Sequence, residues 1–325
     1  MEIIINKGNE ISGLSQTHFI RHFLMMRAAK SRHTAIAYER DILDFFKVDC
    51  IESIQIQDII QINFIHAEQY ILELREKGCA PSTINRKISS LSSLFQWLMK
   101  YQDNKTGKTL LYFNPFGNLK EEKPTVTVQE TEFLTAEECE KLLLSFDTTK
   151  LLDLRNKAIL SLAFTTALRK SEIINIRLFD LKKYGEYDVI EVIRKGNKLD
   201  RIKIQPSVKR LINEYVYQTG RDYQTDSYLF LGHSRNKLNN EKLDPSALNY
   251  MLKSVCKRAG IDKKLKVHST RHTAITLAII GGATIEKVRD FAAHNSIVTT
   301  NRYVHSIDKL KDNAGDVIQF DALSD

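Results

Sequence analysis

Residues 187–204 read YDVIEVIRKGNKLDRIKI, and their reading decides the fold class. In the last piece Ile202 and Ile204 alternate with Arg201 and Lys203, so one face points inward and the other to solvent. A turn at Gly196-Asn197 closes two short antiparallel strands into a hairpin. Nowhere else does the chain carry so clear a strand signal. The architecture expected around the hairpin is therefore mainly helical, with a small antiparallel sheet.

Working outward, Thr135-x-x-Glu138 is a capping box that starts a helix carrying Leu142, Leu143 and Leu144. A longer helical stretch runs from Leu154 through NKAILSLAFTTALRKSEIINI. After the hairpin, the chain reads as helical from Ser207, with Asp244-Pro245 as a later cap and first turn. Another helix spans Val267–Ile280, is broken at Gly281-Gly282, and is followed by one more to about Ala293. Towards the N-terminus, Phe19, Phe23 and Leu24, and then Ala35, Tyr38, Ile42, Phe45 and Phe46, recur at helical spacing. Gly78 and Pro81 separate two further helices, the second lined by Ile84, Ile88, Leu91, Leu94, Phe95 and Leu98. This predicts an all-α domain over residues 14–104 and a linker over 105–131, where Gly107, Pro115, Gly117 and Pro124 interrupt the periodicity. A mixed α+β domain is expected over 132–325.

Composition narrows the class. The 325 residues carry a net charge of +8, which favours a polyanionic partner. The four cysteines, Cys50, Cys79, Cys139 and Cys256, contain no C-x-x-C pair and read as reduced residues of a cytoplasmic protein. MEIIINKGNE does not read as a signal peptide, and AITLAII (274–280) is too short to span a bilayer. No spacing of metal ligands is evident, and neither metal nor cofactor is expected.

Several residue pairs could carry chemistry. Arg169 and Glu172 in TTALRKSEII can form an ordinary i,i+3 ion pair, but Arg169 follows an apolar run in which an arginine needs a defined partner. His268-x-x-Arg271 shares one helix face; His18 and Arg21 repeat that spacing among apolar positions and are assigned no chemistry. His294 stands nine positions before Tyr303, one of 12 tyrosines. Each feature alone is weak. Their order within one domain resembles the tyrosine recombinase (phage integrase) family: TTALRKSEI, IRKGNKLDRIKI, HSTRHTAITLAIIGG and AAHNSIVTTNRYVH match in register, and TINRKISSLSSLFQWL resembles the end of the family's SAM-like N-terminal core-binding domain.

The chemistry explains the set. A phosphodiester repels nucleophiles, and arginine's planar fork binds phosphate oxygens without losing its proton, so Arg169 and Arg271 suit one phosphate. A tyrosine with a pKa near 10 is only about 0.1% ionised at pH 7, so activating it means offsetting roughly 4 kcal/mol. The resemblance implies that Tyr303 is the nucleophile, forming a 3′-phosphotyrosine and a free 5′-hydroxyl without ATP. It further implies that His268 is the proton acceptor or a positioning group and that His294 donates a hydrogen bond to a phosphate oxygen. Lys195, in preference to Lys198, would protonate the leaving 5′ oxygen, and Glu172 would orient Arg169 or His268.

The family often has glycine where this chain has Ala167, and Leu-Gly where it has Ala292-Ala293; the exchange of small for small predicts slight repacking. Arg27, Lys30, Arg32, Arg86 and Lys87 are the expected DNA contacts of the N-terminal helices. The resemblance implies double-stranded DNA with a specific site as partner and a tetramer on DNA. It also implies a C-terminal segment around Val317–Leu323 that docks into a neighbouring subunit, with room for accessory proteins or a partner recombinase. A type IB topoisomerase-like enzyme and a non-catalytic DNA-binding protein are the alternatives.

Overall fold

In the computed structural model the hairpin pairs antiparallel as read, with Ile190 opposite Ile202 and Arg194 opposite Lys198. The structure describes residues 18–101, 109, 111–126, 131–194, 198–221, 226–234, 237–301 and 303. The chain divides into two units, residues 1–128 and 129–325.

The regular elements described in the first unit are helices: α1 (Phe19–Ala28), α2 (Arg32–Phe46), α3 (Ile56–Ile60), α4 (Phe64–Glu76) and α5 (Pro81–Leu98). Ser31 caps α2 by accepting from the Thr34 amide, and Lys47 ends it in a left-handed conformation at φ 54°. Pro81 opens α5, where its missing N–H costs nothing. The apolar stripe read from Ile84 to Leu98 is buried, and it packs with Phe23, Ile42, Tyr70 and Ile71. Part of the expected linker is core as well. Leu111, Phe116 and Leu119 are buried in this unit, and Phe116 meets Phe45 edge-on and Phe95 at 5.2 Å each. Asn114 fixes that loop by donating to the Ser92 carbonyl and accepting from the Phe116 amide, both at 3.0 Å.

The second unit contains α6 (Ala136–Leu144), α7 (Leu151–Thr166), α8 (Lys170–Asn175), β1 (Leu181–Tyr184), β2 (Tyr187–Arg194), β3 (Lys198–Lys203) and α9 (Pro206–Gln218). It continues with β4 (Leu231–Ser234), β5 (Lys237–Lys242), α10 (Pro245–Arg258), α11 (Val267–Ile280) and α12 (Ile285–Ala292). The sheet order is β1-β2-β3, and β4 pairs with β5 separately. The central helix α7 buries residues all round, from Leu154 and Ala158 to Leu162 and Thr166, as a helix covered on every side must. The capping box at α6 is present: the Thr135 amide donates to Glu138 at 2.8 Å and the Glu138 amide to Thr135 at 3.2 Å. No helix among the described residues is long and apolar enough to cross a membrane.

Candidate active site

The site grows out of two helix ends. α7 stops at Thr166, and Ala167 takes a left-handed conformation at φ 49°. α12 stops at Ala292, and Ala293 does the same at φ 45°. At the second end the Ala293 amide donates to the Asp290 carbonyl and the His294 amide to the Arg289 carbonyl, the paired bonds of a Schellman motif. Both turns direct carbonyls at arginines. Arg271, on α11 and 3% exposed, donates through Nη1 to the Ala167 carbonyl at 2.5 Å and through Nη2 to the Ala292 carbonyl. Arg169 Nη2 lies 3.5 Å from the Ala293 carbonyl.

Neutral carbonyls hold Arg271 in place without cancelling its charge. Burial and the nearby charge of Arg169 push its pKa down to about 10, so it stays protonated at neutral pH. Arg169 is balanced differently. Its amide donates to Glu172 Oε2 and its Nη1 to Oε1, both at 2.7 Å, so one carboxylate caps α8 and fixes the side chain. Glu172 is itself buried and also meets Arg194 at 3.4 Å, while Arg194 Nε reaches Asp200 at 2.9 Å. The pair Arg169–Glu172 is thus no surface ion pair but part of a chain of four charged groups.

His268 lies one turn before Arg271 on α11. The residue is exposed, yet its partial desolvation and the charges of Arg271 and Arg169 hold it below the ordinary histidine value. The same causes, in the same order, push His294 down to about 4, with His268 adding to them. His294 Nδ1 lies 3.0 Å from Thr300 Oγ1. Residues 297–301 are helical and lead to Tyr303, whose ring stands 4.4 Å from His272 and 5.9 Å from His294 between centroids. Tyr303 packs on the small cluster of Ala167, Ala274, Ile275, Val288 and Ala292. Burial raises its pKa, and Arg271 opposes that rise.

Arg169, Glu172, His268, Arg271, His294 and Tyr303 therefore come together. Lys195 lies outside the described residues, as does the segment around Val317–Leu323, and Lys198 is exposed opposite Arg194. Arg194, His272 and Thr300 were not singled out from the sequence. Only Arg194 carried a signal, its position beside KGNK at a strand end.

The left-handed alanines add backbone strain to the small-for-small exchange, because such a conformation costs an L-residue about 1–2 kcal/mol relative to glycine's freedom there. Ala293→Gly is expected to stabilise by about 0.5–1 kcal/mol after glycine's unfolded-state entropy is deducted. Ala167→Gly also empties a methyl site that is fully buried, and is expected to be close to neutral. Thermal unfolding of the two variants checks the contrast.

The two histidines set a pH dependence. The native state binds fewer protons than the unfolded chain between pH 6.5 and about 4, so stability is lost as pH falls through that window. The melting temperature is expected to fall there, and His294→Gln to flatten the fall.

In the first unit the expected DNA contacts divide. Lys30 and Arg32 are exposed. Arg27 donates to Ser93 at 2.9 Å and lies over the Phe23 ring, lining a cleft of about 320 Å³ with Ser93, Gln96, Trp97, Lys100 and Lys123. Arg86 is paired with the buried Asp41, and Lys87 with Asp44 at 2.8 Å, so their charges are already balanced. His18 and Arg21 are structural: His18 bonds the Ile54 carbonyl at 2.9 Å, and Arg21 pairs with Glu39 and Glu52.

Residues 132–309, more than half of the chain, match the phage integrase family. The chain belongs to the phage integrase family. Residues 18–102 match the N-terminal SAM-like domain of phage integrases. Among relatives of this integrase-family chain, the tyrosine recombinase XerD of Listeria innocua serovar 6a is 28% identical over 289 residues, 87% of this chain and 91% of the relative. The fold is shared with the XerH site-specific recombinase bound to a palindromic difH substrate, at a TM-score of 0.65 and 19% identity, covering 78% of this chain and 72% of the other. It is shared too with the Tn1549 transposon integrase in complex with circular intermediate DNA, at a TM-score of 0.65 and 18% identity, covering 87% and 92%.

Proposed function

We propose that this phage integrase family member is a site-specific tyrosine recombinase that cuts and rejoins DNA through a 3′-phosphotyrosine. One observation carries the reading: Arg271 is buried, charged and held by two main-chain carbonyls, within a site shared with Arg169, His294 and Tyr303. A phosphodiester is an anion that two arginine forks can grip together.

Tyr303 Oη attacks the phosphorus, its proton passing to His268, whose depressed pKa keeps it neutral and able to accept. The bond from phosphorus to the 5′ oxygen breaks, and Lys195 gives that oxygen a proton. Arg169, Arg271 and the N–H of His294 hold the non-bridging oxygens while charge builds on them. Glu172 and Arg194 position Arg169. The raised pKa of Tyr303 means that the free enzyme holds a neutral phenol. Its proton therefore has to leave in the course of the reaction, and His268 takes it. One phosphodiester replaces another, so the reverse step rejoins strands without an energy source.

Double-stranded DNA bearing a specific site is the partner, with Arg27, Lys30 and Arg32 as phosphate contacts of the first unit. The enzyme acts as a tetramer in the cytoplasm, alone or with accessory proteins or a second recombinase, and the residues around Val317–Leu323 link neighbours. The test is covalent capture: cells expressing the protein are denatured rapidly, and protein-linked DNA is isolated and its ends sequenced. Ends at one or a few discrete sites are expected. Ends scattered over the genome, with relaxation of a supercoiled plasmid lacking any such site, would replace this reading with a topoisomerase-like one.

A further inference from the structure

Among the buried threonines of the second unit's helices, Thr273 Oγ1 accepts from the Leu134 amide at 3.0 Å, and Thr276 Oγ1 lies 3.4 Å from His272 Nδ1 one turn back on the same helix. Thr166 and Thr270 donate to carbonyls of their own helices, at 2.6 and 2.8 Å, the usual outlet for a helical threonine. Thr300 is fully buried, yet its Oγ1 lies 3.0 Å from His294 Nδ1, six residues back and across the turn that follows α12. We infer that Thr300 is a positioning residue for the reaction, whose hydroxyl holds the His294 imidazole in orientation and lets it keep its proton on Nε2.

A neutral imidazole has one N–H and one bare nitrogen, and the partner of one nitrogen decides what the other can offer. A carbonyl at Nδ1 would force the proton onto Nδ1 and turn a lone pair towards the site. A hydroxyl can donate to Nδ1, which leaves Nε2 protonated and able to donate to an anion between Arg169 and Arg271. The groups around the ring favour a neutral imidazole: Arg169, Arg271 and His268 are its charged or titratable neighbours, and the Tyr303 ring lies beside it. The inference rests on the recombinase reading for its catalytic consequence, but the tautomer can be measured without it.

The experiment uses full-length protein labelled with nitrogen-15 histidine, in which His294→Gln assigns the His294 signals. Wild type in sulfate is expected to show Nε2 protonated and Nδ1 bare. Thr300→Val keeps the shape and removes the hydroxyl; a mixture of tautomers is expected, with adduct formation on saturating DNA slowed about tenfold and binding changed less than about twofold. Thr300→Ser is expected to restore both the tautomer and most of the rate. A wild-type His294 carrying its proton on Nδ1 overturns the inference, whether or not the valine variant folds. So does a folded Thr300→Val whose tautomer and rate match wild type. If wild type forms no adduct at all, the recombinase reading fails, while the tautomer of wild type against Thr300→Ser and Thr300→Val still decides the role of the hydroxyl.

Discussion

Tyr303→Phe is expected to abolish covalent protein–DNA adducts and recombination, a loss of roughly 10⁴-fold or more, while leaving DNA binding within about twofold. The phenylalanine ring keeps the contacts that place the residue: the 4.4 Å approach to His272 and the packing on Ala167, Ala274, Ile275, Val288 and Ala292. The substitution removes the hydroxyl and keeps the ring, so a variant that binds DNA as wild type does isolates the chemical role. Denaturing gels of labelled DNA carrying the captured site measure the adduct directly. Adducts that persist in the variant would assign the nucleophile to another residue. A variant that fails to bind DNA would mean that the hydroxyl serves the structure and not the reaction.

Arg271 should show the next largest effect, and two substitutions separate its charge from its shape. Arg271→Ala removes both and is expected to slow single-turnover cleavage about 10³- to 10⁴-fold, the scale on which arginine stabilises transferring phosphoryl groups. Arg271→Lys keeps the charge. A lysine cannot span the Ala167 and Ala292 carbonyls and still present a planar edge to a phosphate, so about 10²-fold should still be lost. DNA affinity should fall by less than about tenfold in both, because many other contacts hold the duplex. Cleavage by Arg271→Lys at the wild-type rate would reduce the residue to a point charge.

Much of the fold could be read in advance because its punctuation is local. Pro81 at the start of α5, Thr135 with Glu138 at α6, Asp244-Pro245 at α10 and Gly281 after α11 each act within a few residues of themselves. The site residues were legible through their order along the chain, by resemblance. What escaped depends on distant partners. β1 is four residues of LKKY with only Leu181 partly covered, and β5 reads KLNNEK; neither alternates enough to show as a strand. The ion pairs of Arg86 and Lys87 did not show because Asp41 and Asp44 lie more than forty positions away. The left-handed turns at Ala167 and Ala293 were hidden by alanine, which ordinarily avoids that conformation.

The carbonyl cradle of Arg271 also governs how the protein behaves in a test tube. Main-chain oxygens carry no proton to lose and no side chain to exchange, so the pocket's positive charge persists across ordinary buffers. Oxyanions of the solvent will compete for it. Sulfate or phosphate at ten times its dissociation constant would stabilise the folded protein by about 1.4 kcal/mol relative to chloride of equal ionic strength. The same ions would weaken apparent DNA affinity beyond what screening alone accounts for. The choice of buffer salt is thus itself a ligand titration of the site.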